Sequence, residues 1–158
     1  MDKISEIFSN EKYKNLLIEL EEIEKDRKFC KHNLEHFLSF SRIAYIKVLE
    51  NNIRISKDVI YAIGLLHDIG RVLEYKEGIP HHKGSLILSK EILKETSYTE
   101  EEKRLIYKCI ECHRSENFED ELLEIIYISD KLSRECFSCE AEKECYWKKE
   151  KKNMIIKY

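Results

Sequence analysis

Glycine and proline are scarce in this chain. It has four Gly and one Pro in 158 residues, and all five lie between Gly64 and Gly84. Helix breakers are missing from the rest of the length, which favours an all-α fold with one irregular region, where a site is expected to sit. No run of 18 apolar residues occurs, so no spanning helix is expected. Positive charge is not in excess either: 28 Lys and Arg against 31 Asp and Glu give a formal net charge of -3. That balance argues against a general attraction to nucleic acid or to an anionic membrane. The opening Met1-Asp2-Lys3-Ile4-Ser5-Glu6 lacks the charged-then-apolar layout of a secretory signal. A cytoplasmic location is therefore expected, and the six cysteines are read as thiols or metal ligands rather than disulfides.

What the chain has in abundance is charge, at 37% of residues, mostly Glu and Lys on solvated helix faces. Apolar periodicity predicts about six helices. The first covers residues 4–25, and the second covers 33–51 with Asn33 as N-cap. The third covers 57–68, capped by Ser56, and its body Val59-Ile60-Tyr61-Ala62-Ile63-Gly64-Leu65-Leu66 is apolar nearly all round, which marks a central, buried helix. Residues 69–80 are expected to be irregular. A fourth helix follows at about 82–95. Thr99 and Glu102 form a capping box that starts a fifth, ending near His113. A sixth runs from about 119 to 135. No repeat, linker or low-complexity segment interrupts the chain, and its length suits one domain spanning 1–158.

The chemistry gathers around His67-Asp68, at the end of the apolar run Leu65-Leu66 and just before Ile69-Gly70-Arg71. Two adjacent polar side chains there are costly to bury without a partner, and a divalent cation is a suitable one. Imidazole with carboxylate suits zinc, iron, manganese, nickel or cobalt, with magnesium also possible. Neighbours on a helix point about 100° apart and share no face, but a helix end followed by Gly70 lets both reach one ion. His36, His81, His113 and Asp130 stand on other predicted segments, and ligands from different helices converge in a bundle core.

Five segments together resemble a known family. His36 with Phe37-Leu38-Ser39-Phe40, His67-Asp68-Ile69-Gly70-Arg71, Gly78-Ile79-Pro80-His81, Ile110-Glu111-Cys112-His113-Arg114 and Ile126-Tyr127-Ile128-Ser129-Asp130-Lys131 resemble, in that order, the motifs of the HD superfamily of metal-dependent phosphohydrolases. The extra His residues resemble its bimetal branch, which includes bacterial symmetrical diadenosine tetraphosphate hydrolases. The likeness covers residues 30–135, leaving 136–158 as a cysteine-containing tail. It implies an HD-type helical bundle and one or two divalent metals. His36, His67, Asp68 and Asp130 would hold the first, and Asp68, His81 and His113 would help hold a second. If His81 and His113 point elsewhere, the site is mononuclear. Asp68 is the residue on which catalysis would turn. The implied reaction is cleavage of a nucleotide, or another small phosphate ester or anhydride, by a metal-activated hydroxide.

Other residues carry expectations of their own. Arg71, Arg114 and Lys131 each stand within three residues of a candidate ligand, where they can hold phosphate oxygens. His32 shares a helix face with His36 and is a candidate substrate contact. His82 is the alternative to His81 if the register near Pro80 is off by one, and a further candidate contact. Tyr75 is the aromatic nearest the irregular region, within range to stack on a base. Cys136-Phe137-Ser138-Cys139, Cys145 and Cys30 make a candidate structural zinc site, whereas Cys109 and Cys112 read as small buried residues. A nucleotide-sensing domain without catalysis and a mixed-valent di-iron oxygenase are the competing functions. The partner expected is a small phosphorylated molecule, and a homo-oligomer is compatible with the sequence.

Overall fold

The computed structural model describes residues 2–158. Among these residues it is all helical, with eight α-helices and three short 3-10 turns. The helices are α1 (Lys3–Ser9), α2 (Glu11–Ile23), α3 (Leu34–Glu50), α4 (Lys57–Leu66), α5 (Arg71–Glu77), α6 (His81–Leu93), α7 (Glu100–Cys112) and α8 (Glu121–Leu132).

The expected caps form. The Asn33 side chain accepts from the His36 amide, Ser56 from Val59, and Thr99 and Glu102 make the reciprocal capping box. Two local expectations change. The first helix is split at Asn10, which ends α1 and caps α2 by accepting from the Tyr13 amide. Its short side chain competes with helical backbone bonding, so a polar helix of this length breaks there. Residues 69–80 are not irregular: the seven-residue α5 fills the stretch between Gly70 and Gly78. Gly78 closes it in the left-handed region (φ 71°), a conformation that a residue without Cβ adopts freely. The breakers therefore punctuate this segment rather than unwind it.

Helix α4 is the axis of the core. Val59, Ile60, Ala62, Ile63, Leu65 and Leu66 are all buried, and α3, α7 and α1 pack around it. Phe37, Phe40, Ala44 and Val48 recur at helical spacing on α3 and meet it. The two helices approach closely, since a β-carbon at Gly64 would lie 2.0 Å from Ser41 Oγ and 3.1 Å from the Phe37 carbonyl oxygen. Helix α8 packs on the other side of α3, and α6 lies against α5 and α7. This arrangement turns one end of α3, α4, α6 and α7 and the inner face of α8 toward a common point.

Candidate metal centre

His36 lies in the first turn of α3, and His67 caps the C-terminus of α4 with Asp68 directly after it. His81 opens α6, His113 caps α7, and Asp130 stands in the last turns of α8. All six side chains are buried, and they converge. His36, His67, Asp68 and Asp130 present ligand atoms within 4.8 Å of one another, as do Asp68, His81 and His113.

Asp68 belongs to both groups and divides its oxygens between them. Oδ2 lies 3.4 Å from His67 Nε2 and 4.0 Å from His36 Nε2, while Oδ1 lies 3.5 Å from His81 Nε2 and 3.6 Å from His113 Nε2. Asp130 Oδ1 completes the first group, 3.6 Å from His36 Nε2 and 3.8 Å from His67 Nε2.

The imidazoles are aimed by their other nitrogen. His67 Nδ1 donates to the Gly64 carbonyl at 2.8 Å and His113 Nδ1 to the Ile110 carbonyl at 2.6 Å. His36 Nδ1 lies 3.0 Å from Ser133 Oγ, whose own proton goes to the Asp130 carbonyl at 2.7 Å, so the hydroxyl accepts from the ring. His81 Nδ1 faces Glu74 Oε1 at 3.2 Å. Each bond leaves Nε2 as the inward lone pair, the tautomer a metal needs. Phe40 stacks on the His67 ring at 4.5 Å and fixes its plane.

The donor set fits divalent cations. Nε2 of His36, His67 and His81 and Oδ1 of Asp68 and Asp130 are buried and have no hydrogen-bond partner. Buried polar atoms are ordinarily satisfied, so a cluster of orphans facing one another calls for a shared partner. Tetrahedral ligands about 2.1 Å from an ion lie about 3.4 Å apart, close to the separations here.

Electrostatics agree with that reading. Burial works against the Asp68 charge, yet the neighbouring His67 and His113 imidazoles hold its carboxyl well below the usual range. Asp130 is likewise low despite burial, beside His67 and Lys131. Burial, with Arg134 adding to it, drives His36 well below its ordinary value, and burial brings His81 down to about 4. Burial opposes the charge on His67 too, but Asp68 and Asp130 outweigh it and raise its pKa.

A cavity of about 400 Å³ opens beside the centre, with Asp68 and Asp130 on its floor. Its walls include the expected His32, Arg71, Arg114 and Lys131. His32 also reaches inward: its Nδ1 lies 2.7 Å from Glu24 and its Nε2 3.6 Å from Asp68 Oδ2. Three expectations change here. His82 is half-buried beside His81, outside both ligand groups and off the cavity wall, because it follows His81 on the helix and so leaves the inward face. Tyr75 lies off the wall of this cavity, with its hydroxyl donating to Glu24 and accepting from Arg27, so it is not among the side chains that face the centre. Nor does Gly70 serve as a backbone hinge. Its φ and ψ are helical, and what it supplies is space against α6.

The structure adds residues that the sequence reading missed: Arg27, Arg134, Tyr127, Trp147, Lys148 and Lys151 also line the cavity. Two of them carried a usable sequence signal: Tyr127 stands three residues before Asp130 on α8, and Arg134 four residues after it, just past the helix end. Cys30, Cys136, Cys139 and Cys145 share the wall of a second cavity of about 290 Å³. No cysteine belongs to a ligand group as compact as the two around Asp68. Cys109 is buried in the core, as expected, whereas Cys112 is only half-buried at its edge.

Helical packing with buried His and Asp groups at one end of the bundle that could hold a metal ion defines the class of this α-helical domain. The family model for the HD domain matches residues 33–135, and the chain belongs to that family. It is 45% identical over 161 residues to an uncharacterized protein from Clostridium beijerinckii, covering all of both chains. No solved structure gives a significant match. Among the described residues, no helix is long and apolar enough to cross a membrane.

Proposed function

We propose that this chain is a metal-dependent phosphohydrolase acting on a small phosphorylated molecule, a nucleotide in particular, and that it belongs with the bimetal branch of its family. The observation that carries this reading is the division of Asp68, with one oxygen facing His36 and His67 and the other facing His81 and His113. A carboxylate so placed is suited to bridge two cations.

His36, His67, Asp68 and Asp130 would hold one cation, and Asp68, His81 and His113 would contribute to a second. Bound there, divalent ions supply Lewis acidity and a nucleophile at neutral pH. The remaining chemistry belongs to the side chains. Arg71 Nε stands 3.7 Å from Asp68 Oδ1, buried and without a hydrogen bond, while its Nη1 donates to Glu74 Oε2 at 3.0 Å, which places the guanidinium to take a phosphate oxygen. Lys131 donates to Asp130 Oδ2 at 2.8 Å, and Arg134 lies 3.8 Å from Asp130 Oδ1. These cations offset the negative charge of an incoming phosphate next to two carboxylates. Tyr127 and Trp147 supply apolar faces on which an aromatic base can rest.

Phosphate release from a panel of mono- and dinucleotides, run beside elemental analysis, tests the proposal. It expects turnover of a preferred member with bound metal, and loss of both in Asp68→Ala. Full retention of metal and activity in that variant would overturn it. Oxygen consumption with no phosphate release would move the chain to the di-iron reading. Tight nucleotide binding with no turnover of any compound would move it to the sensing reading.

A further inference from the structure

The tail after α8 has little of its own to hold it. Three 3-10 turns span it, at Cys136–Ser138, Glu142–Glu144 and Lys149–Lys151, and from 136 onward only Cys136 and Ala141 are buried. It nevertheless follows a definite path against the segment before α3. Lys28 pairs with Glu144, Phe29 meets Tyr146 edge-on at 6.2 Å, and Arg134 donates to the Lys31 carbonyl at 3.0 Å. These contacts flank Cys30 on both sides. They bring it to the cavity that Cys136, Cys139 and Cys145 also line.

We propose that Cys30, Cys136, Cys139 and Cys145 form a four-thiolate zinc site that clamps the tail to the segment preceding α3. The Cys-x-x-Cys at 136–139 offers two ligands from one turn, and Cys145 and Cys30 offer the other two. Among the described residues, all four are free cysteines. The charge of a zinc tetrathiolate is negative. Lys31, Arg134 and Lys152 on the cavity wall are matched by Glu35, Glu135 and Glu142, with Lys152 paired to Glu142 at 2.8 Å, and Arg134 is the wall cation tied to the backbone next to Cys30 along the path of the tail. Loading draws the four sulfurs together and releases the thiol protons, so zinc affinity rises with pH.

The clamp bears on the neighbouring cavity as well. Phe29, Cys30, Arg134, Cys145 and Trp147 line both spaces, so they form the partition between them. Zinc on one side of that partition would set the position of Arg134 and Trp147 on the other. The zinc site itself does not rest on the phosphohydrolase reading, since its ligands lie outside both groups around Asp68.

Cobalt(II) titration of the reduced, metal-stripped full chain tests the site, because thiolate-to-cobalt charge transfer in the near ultraviolet is blind to a His and Asp centre. The expected result is a tetrahedral cobalt-thiolate spectrum that zinc abolishes. It should weaken by about a quarter or more in Cys30→Ser and in Cys139→Ser, and keep its full intensity in Cys109→Ser and Cys112→Ser. Absence of the band in the parent chain, or undiminished intensity in Cys30→Ser, overturns the four-thiolate site. Should a variant fail to fold, alkylation of the parent chain decides. Zinc should protect the four tail-facing thiols at least tenfold in rate, and equal rates with and without zinc would end the proposal.

Discussion

The Gly70 amide donates to Ser85 Oγ at 2.9 Å, and a β-carbon at Gly70 would lie 2.0 Å from the Ser85 amide nitrogen. Gly84 faces the same contact, where an added β-carbon would stand 2.8 Å from the Gly70 carbonyl oxygen. The turn after His67-Asp68 is thus pressed directly onto the first turns of α6, which carries His81. The distance from Asp68 to His81 is set by backbone against backbone, with no side chain between to give way.

Gly70→Ala is therefore expected to do two things. Forcing backbone apart in a packed interior should destabilise the fold by about 3 kcal/mol. It should also move His81 away from Asp68 and weaken metal at that side first. Urea unfolding and metal analysis of the purified variant check both, and parent-like values in each would refute the packing argument.

The partners of the imidazoles lend themselves to a graded test. Ser133→Ala removes the acceptor for His36 Nδ1, and Glu74→Gln weakens the one for His81. Loss of such an outer partner should lower metal affinity by about 10–100-fold. The two variants should differ in which metal suffers: Ser133→Ala affects the group holding Asp130, and Glu74→Gln the group holding His113. Competition with a chelator, read at both sites, distinguishes them.

Stability of the metal-free protein should fall as pH drops from the ordinary histidine value of 6.5 toward about 4. Burial lowers His81 to about 4 and lowers His36 and His32 as well, so the unfolded chain takes up protons in this window before the fold does. His67 acts in the opposite sense, because its raised pKa adds stability at low pH that disappears as pH rises through it. His82 is lowered as well, so four lowered histidines against one raised leave a net loss on acidification. Urea midpoints across the window in the presence of chelator measure it, and His81→Gln should flatten the slope. A midpoint that climbs on acidification would contradict the assignment.

Within the cavity, Arg114 is an exposed side chain at the wall. If it holds a substrate phosphate by a charge-assisted hydrogen bond, Arg114→Ala should reduce kcat/KM about tenfold or more while leaving metal content unchanged. Steady-state kinetics on the preferred compound of the panel provide the measurement, and an unchanged kcat/KM would remove Arg114 from the binding site.

The amino-acid sequence alone determined the elements whose causes are local. Asn33, Ser56 and the Thr99–Glu102 pair cap helices because each satisfies backbone amides within three residues of itself. The apolar run through α4 announced its central place, because no other environment suits a helix that is apolar all round. The order of His and Asp segments marked the six side chains as a set. Tertiary structure decided what depends on distance through space. It split the oxygens of Asp68 between two groups, aimed His36 through Ser133 and His81 through Glu74, took His82 off the cavity and brought Trp147 and Lys148 onto it. Those relations join residues with no shared periodicity, and only the packing of whole helices sets their separation.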